Sequence, residues 1–304
     1  MNRWVIFFVA AALALAAVPV AAQFPAQGAA STVGTMLVAH GGGEEWNAGV
    51  MEIARMAETG GPVEVSFLMG EGAKTHRFQD AARELVEQGA TEIVVVPVLA
   101  SSHSSHYQQI RYLAGKTDTL SEVMTHHLHT AGIERPDVSV PMRLTASIDD
   151  SPEVARVLAD HANELAEAPE AQALFIIGHG PNGAEDYAEW MARLRPVADS
   201  VQALTGFRNV MVGLVRDDAP DRVRAEAVRR IREIITLQHE VTGREVVVVP
   251  ILVSNGWVGQ VKIRRDLEGL PVVYRGNGVL PHPEMARWVE RRVREATRLE
   301  DQEK

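Results

Sequence analysis

Beyond residue 32, short apolar runs alternate with segments of helical period to the end of the chain. In the first half, β-type runs fall at 35–39, 63–69 and 92–99, with a weaker one at 138–144. Between them the period predicts helices at 45–59, 78–88 and 151–166. Unbroken β-branched runs such as EIVVVPVL, set between amphipathic helices, mark parallel strands buried on both faces. Gly89 is a natural helix stop, and Ser151-Pro152-Glu153 opens the next helix as capping rules expect.

The same order then returns. Strands are predicted at 173–177, 210–215, 245–252 and 272–274, and helices at 187–204, 222–238 and 283–297. Three landmarks match across the halves. His40-Gly41 matches His179-Gly180, and VVVPVL ending at Leu99 matches VVVPIL ending at Leu252. Asp150-Ser151-Pro152-Glu153 matches Pro281-His282-Pro283-Glu284. The expected architecture is α/β: two tandem flavodoxin-like domains at 33–167 and 171–298, joined at 167–170. Each is a small parallel sheet flanked by helices, with a cleft between the two. A single eight-stranded barrel would need more regular spacing.

The N-terminus has its own pattern. Arg3 precedes an apolar run at 4–18, Pro19 ends it, and Val20-Ala21-Ala22 offers small residues before Gln23. This predicts a cleavable signal peptide at 1–22 and a flexible leader at 23–32, shorter than a membrane span requires. The expected mature protein is periplasmic or secreted, with no membrane insertion after cleavage.

Composition narrows the chemistry. The 304 residues are 46% hydrophobic and 23% charged, ample for a packed core. The formal charge of −10 disfavours non-specific nucleic-acid binding, which rests on phosphate neutralisation. There is no cysteine, which excludes disulfides, thiolate metal sites and a cysteine nucleophile. No GxSxG elbow accompanies the HGGG string, which removes the esterase reading, and no Gly-Lys-Ser/Thr follows it.

In an open parallel sheet, ligands bind beyond the carboxyl ends of the strands. Those ends deliver His40, then Gly70 and Glu71, then the SSHSSH string at 101–106. His40 with His103 or His106, and a carboxylate such as Glu71 or Glu44, would suit a borderline divalent metal. A hydrogen-bonded loop role is the plain alternative for each histidine. His126-His127-x-His129 lies in an insertion before the fourth strand, as a solvated helix or loop, or as an accessory metal-capture patch.

The combination resembles the class II chelatases, above all the two-domain sirohydrochlorin cobaltochelatases and ferrochelatases. The residues that carry the resemblance are the His-Gly after strand one, the VVVPxxL strand with its His-bearing loop, RELVEQGATEIVVVPVL and PHPEMARWVERRV. The resemblance implies insertion of Co²⁺ or Fe²⁺, with Ni²⁺ a further candidate, into a carboxylate-rich tetrapyrrole. The metal is a substrate, and no organic cofactor is implied. It assigns His40 and His106 as metal ligands and acceptors of the pyrrole protons, with His103 one turn away and Glu71 as helpers. Arg111 and Arg264 would meet substrate carboxylates and Trp257 would stack on the ring, although solvated helix faces and lid packing explain these residues as well. A monomer or weak homo-oligomer is expected, since the duplication can replace a dimer.

Three departures stand against the pattern. The chelatase family usually has HGS where this chain has HGGG. Its loop usually carries Gly-Gly-His and an acidic residue, in place of SSHSSHYQQI. The second half runs into Ser254-Asn255-Gly256-Trp257 with no histidine, which leaves His179 without a counterpart. The second domain is therefore expected to be a structural or cleft-forming partner, and His282 a capping or packing residue. A non-catalytic metal or tetrapyrrole carrier on the same fold is the alternative function.

Overall fold

The computed structural model describes Met1 and residues 31–303, and Thr32–Lys304 form one compact unit. Apart from Met1, the expected signal segment and the leader as far as residue 30 lie outside the described residues. The first half runs β1 (Val33–Ala39), α1 (Glu44–Met56), β2 (Val63–Phe67), α2 (Gly72–Thr75) and α3 (Phe78–Glu87). It continues with β3 (Glu92–Val98), α4 (Ser105–Leu113), α5 (Glu122–Ala131), β4 (Met142–Leu144) and α6 (Pro152–Leu165). The second half runs β5 (Ala173–Gly178), α7 (Ala184–Thr205), β6 (Asn209–Leu214), α8 (Asp221–Thr242) and β7 (Val246–Ile251). A π-turn at Val258–Ile263 leads into α9 (Arg264–Asp266), β8 (Val272–Tyr274) and α10 (Pro283–Glu303). No helix among the described residues is long and apolar enough to cross a membrane.

The strands form two parallel four-stranded sheets, β2-β1-β3-β4 and β6-β5-β7-β8. All seven residues of β3 and all six of β5 are buried, which explains why both read as unbroken apolar runs. In each sheet the chain order reverses between the two central strands. That reversal opens a crevice beyond their carboxyl ends.

The duplication is written in the backbone hydrogen bonds at those ends. Met69 N–H donates to His40 O at 2.9 Å, and Arg216 N–H to His179 O at 2.7 Å. Ile148 N–H donates to Leu99 O at 3.1 Å, and Val279 N–H to Leu252 O at 2.7 Å. Gly41 has φ +91°, and a Cβ there would lie 2.3 Å from Met69 O. Gly180 has φ +84°, with Leu214 Cβ 2.7 Å from the same position. A side chain is excluded on both counts, so the glycine after each histidine is a steric requirement of the turn.

The two halves exchange their last helices. α10, which closes the second half, packs on α1, α6 and β3 of the first. α6, which closes the first half, packs on α7 and β7 of the second. Met285, Trp288, Val289 and Val293 of α10 are buried in one core with Val95, Val157 and Val247. A smaller core lies under α8, around Phe175, Ile231 and Ile235.

Two expectations are corrected. The fourth strand is confined to Met142–Leu144 rather than 138–144. Pro141 has no amide hydrogen, so it only accepts, from Ile93 N–H at 2.9 Å, and the ladder begins after it. The polar string after β3 is also helical from Ser105, because the Ser104 side chain accepts from Tyr107 N–H and caps α4. His106 therefore stands in the first turn of a helix. The histidine-rich insertion is helix α5, capped by Ser121 and closed by Gly132 at φ +66°.

Candidate active site

His40 ends β1 and His106 opens α4, so neighbouring strands of the first sheet present both to the crevice. Their ring centroids are 4.5 Å apart and the rings stand at 82°. His40 Nδ1 is 2.7 Å from Gly41 O, and His106 Nδ1 is 2.8 Å from Gln109 Oε1. The buried Gln109 donates its amide nitrogen to Met124 O at 3.0 Å. That bond fixes the amide with its oxygen towards His106. Both acceptors are carbonyl oxygens, so both imidazoles carry their proton on Nδ1. Each Nε2 therefore keeps its lone pair, ready for a metal ion or a proton.

Burial lowers the basicity of His106 further. The neighbouring His40 acts in the same direction, Gln109 opposes it, and His127 on α5 adds to the lowering. A neutral imidazole is the ligating form.

The remaining sequence candidates do not join this pair. His103 faces the second half, where its carbonyl accepts from Trp190 Nε1 at 3.4 Å and its Nε2 lies 3.3 Å from Arg193. Glu71 is exposed and paired with Lys74 at 2.6 Å. Among the described residues, no three His, Asp or Glu side chains converge on one metal position. Arg111 bonds Gln108 along its own helix at 3.2 Å. Arg264 spends its donors on the carbonyls of Gln260 and Arg275, each at 3.1 Å. Trp257 is 59% exposed, and Lys262 Nζ stands 4.7 Å from its ring. Its loop docks on the first turn of α1, since Ser254 Oγ donates to Trp46 O at 3.0 Å. His282 does cap a helix: its Nδ1 accepts from Glu284 N–H at 3.2 Å.

The matching place in the second half is built differently. Counted from the paired VVVP strands, Gly259 takes the position of His106 and Lys262 that of Gln109. Lys262 Nζ lies 2.6 Å from the buried Asp217, which also meets Arg224. His179 is 3.4 Å from Asp218. Burial lowers its basicity against the pull of Asp218 and Asp217, while Lys262 and His40 act with the burial. The second half thus pairs its histidine with a carboxylate where the first half pairs two imidazoles.

Between the carboxyl ends of the two sheets lies an open cleft lined by Ser101, Asp149, His179, Trp190, Arg193 and apolar side chains. Trp190 and Arg193 escaped the sequence reading. They lie on α7, whose pattern signals only an amphipathic surface. Gln109 could have been found, because it sits one helical turn after His106.

A paired-imidazole site at the switch point of an open parallel sheet defines a protein that can hold a borderline divalent metal or take up protons. Comparison with known proteins gives one family resemblance and several likenesses of fold. Residues 34–165 match the CbiX family model. SirB from Bacillus subtilis with Fe3+ is similar in fold, with a TM-score of 0.60 at 19% identity, over 89% of this chain and 98% of that one. SirB from Bacillus subtilis subspecies spizizenii in complex with cobalt gives a TM-score of 0.59 at 19% identity, with the same coverage of 89% and 98%. CbiX, the terminal enzyme for biosynthesis of siroheme in denitrifying bacteria, gives 0.51 at 13% identity, over 86% of this chain and 99% of that one. No curated protein matches the chain. The family match is confined to residues 34–165, the first of the two halves.

Proposed function

We propose that this protein inserts a divalent metal, Co²⁺ or Fe²⁺, into a carboxylate-rich tetrapyrrole such as sirohydrochlorin. The observation that carries the reading is the His40–His106 pair, two imidazoles in contact, each with its Nδ1 bonded to a carbonyl oxygen. Insertion exchanges one M²⁺ for two pyrrole protons, so the site must both present the metal and accept protons. A neutral imidazole can do either. Gly41 O and Gln109 hold the rings in the ligating tautomer, which removes the cost of reorganising them at the moment of transfer. The similar proteins solved with Fe3+ and with cobalt support the metal class.

The test is anaerobic incubation of the purified protein with sirohydrochlorin and Co²⁺, followed by absorbance against a protein-free control. Many metallated rings per protein support the reading, and one or none overturns it. The competing reading is a metal carrier on the same fold, favoured by the absence of a third convergent ligand among the described residues. A carrier binds Co²⁺ stoichiometrically and leaves the insertion rate unchanged.

The pattern of residues 1–22 further supports export to the periplasm or medium. Amino-terminal sequencing of protein recovered outside the cytoplasm is expected to begin at Gln23. Intact Met1 on all of the protein would refute export by cleavage.

A further inference from the structure

Two imidazoles are fewer ligands than a borderline divalent ion takes, and Glu71 and His103 are occupied elsewhere. A further imidazole stands on the helix that packs against α4. α5 packs against α4, and Gln109 ties the two helices by bonding both His106 Nδ1 and Met124 O. His127 stands one turn after Met124, so it shares the α5 face that this amide reaches. Its Nδ1 is buried and has no hydrogen-bond partner. A buried nitrogen in that state is a group that a ligand would complete. His126 and His129, on the same helix, are exposed to solvent. α5 thus carries two imidazoles at the surface and one half-buried, on a helix packed against the one that bears His106.

We propose that His127 is a metal-capturing imidazole: it takes a divalent cation at α5 and passes it to His106 and His40. The ligand class is a borderline divalent ion such as Co²⁺, which prefers neutral imidazole over carboxylate alone. The capture step stands on the helix geometry, and only the final destination of the metal rests on the proposed insertion activity.

The experiment titrates the full chain with Co²⁺ alone, reading the visible bands of the bound ion and competition with a chromophoric chelator. His127→Ala and His127→Gln are each expected to weaken Co²⁺ binding about tenfold or more, and to raise the Co²⁺ concentration for half-maximal insertion in proportion. The Gln variant keeps a polar side chain of similar reach, and circular dichroism confirms that each variant is folded. His239→Ala, on α8, is expected to leave the affinity unchanged. Binding by both His127 variants within about twofold of the parent overturns the proposal, as does a parent chain that binds no Co²⁺. If the parent inserts no metal but the His127 variants still lose Co²⁺, the insertion reading falls and the capture site stands. If the parent inserts metal and the variants bind as it does, the reverse holds.

Discussion

His106 and Gln109 stand one helical turn apart, and the amide that Met124 O holds in place dictates which ring nitrogen of His106 carries the proton. Gln109→Leu removes that control and leaves two buried polar groups unpaired. It is expected to cost about 1–3 kcal/mol of stability, read as a lower midpoint in urea. It is also expected to slow insertion by about 10–100-fold. An unchanged rate in a folded Gln109→Leu protein would show that the tautomer is set by something else.

His40 and His103 separate by place. His40 touches His106, whereas His103 is exposed and turned to Arg193. His40→Ala is expected to abolish insertion with little change in thermal midpoint. His103→Ala is expected to retain most of the rate. Steady-state rates of the two variants decide the assignment, and equal losses would mean that both histidines serve the metal.

Gly41→Ala and Gly60→Ala share a left-handed backbone but not a neighbourhood. At Gly41, φ is +91° and the new Cβ meets Met69 O at 2.3 Å; at Gly60, φ is +82° and nothing lies within 4 Å. Gly60→Ala is expected to cost about 1 kcal/mol from backbone strain alone, and Gly41→Ala more than 2 kcal/mol with displacement of His40. Chemical denaturation measures both. A Gly41→Ala protein as stable as Gly60→Ala would contradict the close approach to Met69.

Acid sensitivity follows from Glu153. Arg291 on α10 donates to both of its carboxylate oxygens, at 2.9 and 2.7 Å. Burial pushes this carboxyl up, but the Arg291 bonds, its own backbone amide and Arg156 outweigh that and hold it below the ordinary range. The folded pKa lies below the unfolded value of about 4.3, so the stabilisation is complete above that value. It is lost as pH falls through the lower folded pKa. Arg291→Met is expected to destabilise by about 1–3 kcal/mol near neutrality and to move acid unfolding to higher pH. Thermal midpoints measured from pH 3 to 7 test it. Parallel curves for parent and variant would remove Glu153 from the account.

Much of the fold was legible because buried parallel strands leave an unmistakable trace. β3 and β7 carry nearly the same string and occupy the same place in their sheets. His40 and His106 were legible as candidates for the same reason, since each follows a strand whose end the sheet aims at the crevice. What escaped lies in partnerships that a period cannot encode. α6 and α10 read as amphipathic helices, yet nothing in their pattern says that each covers the other half's sheet. Arg264 is a cation in the right loop by sequence, but backbone carbonyls one turn back and across at Arg275 take its donors. Glu71 follows a strand as expected, but Lys74 stands one turn on and pairs with it in solvent.

The exchange of α6 and α10 also governs how the chain comes apart. If either sheet melts, it withdraws the helix that shields the other from water, so partial unfolding exposes two apolar faces at once. Calorimetry should then register a single cooperative transition rather than one per repeat. A nick in the 167–170 connection would leave fragments that remain clasped together.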